Sequence, residues 1–98
     1  MPPAHRHGDG RICDATTKVE GQDSVFVNGR LWAVTGDPNT HEKGELVASP
    51  DSSVLIGGIP VVTHSPTGAL PDKSCDTLGG AHCAPLTSSG SGDVSAYG

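Results

Sequence analysis

Aromatic side chains are nearly absent from this sequence: its 98 residues hold one Phe, one Trp and one Tyr. So few large side chains exclude a broad aromatic core and make a roomy binding pocket hard to build. Cationic residues are also scarce. Six Lys and Arg stand against eleven Asp and Glu, for a net charge of −5, and the six are spread out with no basic stripe. Nucleic acid is therefore excluded as a partner. No apolar run is long enough to span a bilayer. The N-terminus lacks the apolar segment of a signal peptide, so synthesis in the cytoplasm is expected, with any export by another route. What the chain does have is 14 Gly and 8 Pro, a composition of turns. Its apolar residues gather in short β-branched runs, which predicts strands and tight turns rather than disorder. A single small domain over 1–98 with so little to bury is marginal and calls for a staple, whether a metal, a disulfide or a partner.

Three cysteines, Cys13, Cys75 and Cys83, cannot all pair within one chain. An odd count without a signal peptide argues against a disulfide framework. Five histidines stand beside them: His5, His7, His41, His64 and His82. Cysteine and histidine together in a turn-rich small domain point to zinc.

Internal repetition gives those residues positions. "DSVFVNGRLWAVTGD" (23–37) and "DSSVLIGGIPVVTHSP" (51–66) each place an apolar triplet before Asn28-Gly29 or Gly57-Gly58, and a second apolar run after it. Both dipeptides suit a type I′ turn, which needs positive φ twice, so two β-hairpins are predicted. A third, partial copy is "SGSGDVSAYG" (89–98), with Val94 where Val25 and Val54 sit. Its returning strand is absent, and Pro3-Ala4-His5-Arg6 can supply it by closing a ring between the ends of the chain. The repeats then run over about 10–37, 38–72 and 73–98, closed by 2–9.

Ligand-type residues fall in that register. Cys13 lies four residues after Asp9, and His41 four after Asp37. His82 precedes Val94 by twelve, as Cys13 precedes Val25. The third repeat carries an insertion, 65–81, and offers Cys75 as well as His82. Three equivalent turns converging on one point, plus one ligand from the insertion, make the four that a structural zinc takes. The expected set is Cys13, His41, Cys75 and His82, with Cys83, His64 and His5 in reserve. Each also has a plain reading: Cys13 as a small buried hydrophobe, His41 as a solvated loop residue, and His7 as an exposed one.

The residues now carry a resemblance. Pro3-Ala4-His5-Arg6 followed by Gly8-Asp9, the "SVFVNG" and "SVLIGG" hairpins and their threefold spacing resemble the PAAR-repeat family of spike-tip proteins across nearly the whole chain. The second copy is Leu31-Trp32-Ala33-Val34 before Gly36-Asp37. The third, Pro60-Val61-Val62-Thr63, runs into His64-Ser65-Pro66 where the Gly-Asp would stand. The resemblance implies an all-β fold, a small cone of three pseudo-threefold β-hairpin repeats stapled by a metal near the vertex. The metal it implies is zinc, with iron as the alternative ion. It implies a flat base docked on a homotrimeric β-helical spike, one copy per trimer, in a phage tail or a type VI secretion apparatus. Such a tip touches the target cell's outer membrane only in passing. With no toxin extension in the sequence, a phage tail tip in the virion is favoured over a secreted effector carrier. The expected base is lined by Val25, Val27, Leu31, Ala33, Val54, Ile56, Pro60, Val61, Val94 and Tyr97.

Two other classes compete. A zinc hydrolase needs an open coordination position and a carboxylate base. Glu42 follows His41 and Asp76 follows Cys75, but no helical His-Glu-x-x-His pattern is present, so an enzyme is not expected. A small zinc-binding adaptor that takes a peptide by strand addition would need an exposed edge strand.

Overall fold

Two short hairpins form where the positive-φ dipeptides stand. In the computed structural model, which describes residues 3–48, 54–64, 69–92 and 94–95, β1 (Phe26–Val27) pairs antiparallel with β2 (Arg30–Leu31). Strand β3 (Leu55–Ile56) pairs likewise with β4 (Ile59–Pro60). Phe26 faces Leu31 in the first register and Leu55 faces Pro60 in the second. Asn28 and Gly29 have φ of 54° and 80°, and Gly57 and Gly58 have 59° and 83°. Both turns thus take the mirror-image geometry that suits the strand twist. Within the insertion, α1 (Cys75–Leu78) is a single turn, followed by a 3-10 turn over Gly80–Cys83. Among the described residues, no helix is long and apolar enough to cross a membrane.

Most of the remaining pairing joins distant stretches. Ala33 N–H donates to His5 O at 2.9 Å, Val62 N–H to Ala33 O at 2.9 Å, and His5 N–H to Val62 O at 3.1 Å, a closed cycle. Two residues further along each stretch the pattern repeats in the other sense: His7 to Leu31, Thr35 to Pro60 and His64 to Pro3. Trp32 N–H donates to Val25 O and Val61 N–H to Val54 O within the hairpins. Ala4 N–H donates to Val94 O in the same way, with Pro3 bridged to Ser95. The start and end of the chain therefore pair as the two hairpins do.

The apolar core is small: Val19, Ala33, Leu46 and Val62, with Leu31, Ala48 and Ala69 against it. Beside it lies a polar interior that includes His5, Arg11, Thr17, Asp37, Asn39, Asp72 and Thr87. Burying such groups without partners would cost several kcal/mol each, on the order of 2–7 for an amide or hydroxyl. Among the described residues, every buried side-chain nitrogen and oxygen has a partner. Arg11 is the extreme case. Its Nε donates to Thr17 Oγ1 and its terminal nitrogens to the carbonyls of Gly44, Pro85 and Asp37, joining three separate stretches of chain. Burial pulls its pKa down to about 10, so it remains cationic at neutral pH.

Candidate metal centre

Three turns of one kind converge. Asp14 N–H donates to Arg11 O, Glu42 N–H to Asn39 O and Cys75 N–H to Asp72 O. Asp14 and Glu42 share a left-handed φ of 69°. Two residues after each turn's first residue come Cys13, His41 and Ser74. Cys13 and His41 approach to 3.8 Å, from Sγ to Nδ1. The third turn presents Ser74, and the ligand role there falls to two other side chains of the same segment. Asp72 Oδ2 lies 3.4 Å from His41 Nδ1, 3.3 Å from His82 Nδ1 and 3.6 Å from Cys13 Sγ. The His41 and His82 rings stand 5.0 Å apart.

Cys13, His41, Asp72 and His82 each offer one ligand atom, all within 4.8 Å of one another. A tetrahedral ion with bonds of about 2.0–2.3 Å separates its ligand atoms by roughly 3.3–3.8 Å. Four of the separations, 3.3, 3.4, 3.6 and 3.8 Å, fall in that range. Sulfur, two imidazoles and a carboxylate are a donor set that zinc accepts. Cys13 and Asp72 are buried, while His41 and His82 are partly exposed. The group is thus a buried floor of the Asp72 carboxylate and the Cys13 thiol with two histidines toward solvent, able to hold a metal ion.

The surroundings fix the ligands. Asn39 donates to Asp72 Oδ2 at 3.2 Å, and its Oδ1 accepts from His41 N–H at 2.9 Å. Asp72 Oδ1 accepts from Ser74 N–H at 2.8 Å. Burial alone would raise the Asp72 pKa, but the hydrogen bonds from Asn39, His82 and Ser74 hold it below the ordinary carboxylate value. Burial pushes the Cys13 thiol up, and the Asp72 charge adds to that. An arriving cation must therefore displace a thiol proton, which makes its binding depend on pH.

Several sequence expectations are corrected here. Cys75 is not in the group: its sulfur is bonded to that of Cys83 in a disulfide, with Cα atoms 4.6 Å apart. It sits one step beyond the turn position that Cys13 and His41 share, so it faces the neighbouring 3-10 turn. The disulfide also overturns the argument from the odd cysteine count against disulfide pairing, and it leaves Cys13 as the free thiol. His64 bonds Thr87 Oγ1, and His5 bonds Ser89 O and Thr17 Oγ1. Neither joins the group. The sequence reading missed Asp72. Its one signal was its place at the start of the third turn, matching Arg11 and Asn39.

The expected base is also redrawn. Val27, Ala33 and Val61 are buried within the chain and have no side chain to offer a partner. Val25 and Val54 are exposed, Leu31, Ile56, Pro60 and Val94 are half-buried, and Tyr97 lies outside the described residues. The most exposed apolar side chains of the hairpins are Phe26 at 59% and Leu55 at 57%. Comparison with protein-family models, curated proteins and solved structures returns no match to this chain.

Proposed function

We propose that this chain is a structural tip: a pseudo-threefold cone, stapled by zinc or iron, that caps a homotrimeric β-helical spike of a contractile injection machine. A phage tail is the favoured setting, with only passing contact with the target outer membrane, and no catalysis is involved. The observation that carries the reading is the closed cycle through His5, Ala33 and Val62, with three matching pairings outside it. One chain that repeats its backbone pattern three times can cover the end of a trimer with a single copy. The polar, fully bonded interior and a four-ligand metal group suit a part that must stay rigid in a small volume. A bound structural metal is worth on the order of 10 kcal/mol to folding. The exposed pairs Val25–Phe26 and Val54–Leu55 supply apolar surface for the partner.

The test is to mix the protein with a trimeric β-helical spike encoded beside it and to weigh the complex by light scattering. One copy per trimer is expected, with weak dependence on salt because the contact is apolar. Phe26→Asp and Leu55→Asp together should abolish the complex and leave metal content unchanged. Three copies per trimer, or no complex, refutes the tip reading.

A further inference from the structure

The Cys75–Cys83 disulfide spans the segment that supplies half of the metal group. Asp72 and His82 both belong to residues 72–83, and Asp72 N–H donates to His82 O at 2.8 Å, closing the segment at its base. Within it, α1 and the 3-10 turn contain no buried residue. The segment has no core of its own to hold its shape. Besides the hydrogen bonds inside its own turns and the Lys73–Glu42 contacts, it is held by the backbone bond at its base, the side-chain contacts of Asp72, and the disulfide. Cys83 directly follows His82, and Cys75 N–H is bonded to Asp72 O. Each half of the disulfide is therefore tied to a ligand-bearing residue.

We infer that this disulfide is a redox clamp on the metal centre, so that oxidation of Cys75 and Cys83 and metal binding at Cys13, His41, Asp72 and His82 favour each other. The inference rests on the metal reading above. In the reducing step the S–S bond breaks, Cys75 and Cys83 each take one electron and one proton, and a thiol donor pair is oxidised to its own disulfide. His82 is then held to Asp72 by the backbone bond at the base without the covalent brace beside it, and the ion meets a less preorganised site. Coupling between two sites is reciprocal, so a bound ion must also make the disulfide harder to reduce. A tip assembled in a reducing cytoplasm would therefore be loosely metallated and would tighten on reaching an oxidising space.

The experiment measures zinc affinity by competition with a chromophoric chelator, for the oxidised chain and for the chain reduced by a phosphine, which does not hold zinc as thiols do. The expected result is that reduction weakens zinc binding by about tenfold or more, within the usual range of coupling. The Cys75→Ser/Cys83→Ser chain should bind like the reduced protein and ignore the phosphine. Independently of that variant, zinc should shift the reduction midpoint of the wild-type disulfide, in a thiol–disulfide buffer, toward the more reducing side. Equal zinc affinity in both redox states, or a reduction midpoint unmoved by zinc, overturns the clamp and leaves the metal centre standing. Zinc taken up in neither state overturns both.

Discussion

Thr17 Oγ1 serves Arg11 and His5 at once. It accepts from Arg11 Nε at 2.7 Å and lies 2.6 Å from His5 Nε2. On the other side of the ring, His5 Nδ1 is 2.8 Å from Ser89 O. A carbonyl can only accept, so the proton sits on Nδ1, and Nε2 accepts from the Thr17 hydroxyl. Burial lowers the His5 pKa from 6.5 to about 4; the Ser89 bond and Asp9 pull the other way, while Arg11 and His64 add to the lowering. Above pH 6.5 the ring is neutral in both folded and unfolded chains, and its full contribution to stability is present. As pH falls from 6.5 to about 4, the unfolded chain takes up a proton that the folded one refuses. Stability should therefore drop by about 3 kcal/mol across that window. Asp9 and Asp72, both held below 3.8, lose their contributions only at lower pH. Unfolding the metal-free protein at pH 7 and at 4.5 should show most of this loss in the wild type and little of it in His5→Gln. Equal losses would refute the assignment. A single sequence could not mark His5 as buried, because its site is assembled from residues 12 and 84 positions away. Arg11 was invisible for the same reason, since its acceptors are carbonyls on three other stretches.

At the scale of elements, the two hairpins were legible because Asn28-Gly29 and Gly57-Gly58 dictate their turns locally. Three of the four expected ligands, Cys13, His41 and His82, are in the group, and Cys13 and His41 are placed there by turns each closed by its own backbone bond. His82 was legible by its distance from Val94. Cys75 misled because the insertion obscured which of its residues shared the turn position, and the register falls on Ser74 instead. The ring closure by the first residues makes a direct prediction. Residues 3–6 supply backbone partners to Val62, Ala33, Val94 and Ser95. Deleting residues 2–6 should lower the melting temperature of the whole chain in one cooperative transition, not fray one end. A truncated protein that melts where the full chain does would show that the cycle is not structural.

The whole molecule has a radius of gyration of 12.1 Å and a core of a few aliphatic residues. Its interior is largely polar, and three of its turns meet at the Cys13, His41, Asp72 and His82 group. On the proposed metal reading, removal of the ion should be felt well beyond the site, because Cys13, His41 and the 72–83 segment all meet there. Calorimetry with and without a strong chelator should show a fall in melting temperature on the order of 10 °C or more, reversed by zinc. A melting temperature indifferent to chelator would remove the metal from the account of stability.

The closed cycle of backbone bonds also has a consequence in time. Ala4 waits for Val94, and His5 for Val62 and Ser89. At about 5–20 residues per second, a ribosome needs roughly 5 to 20 seconds to reach the last of these partners. Until then the first stretch can pair with Leu31, Ala33 and Val62 but lacks Ser89, Val94 and Ser95. Contacts between such distant residues make folding slow. The nascent chain can fold its hairpins as they emerge, but it completes its ring only after residues 94–95 have been made.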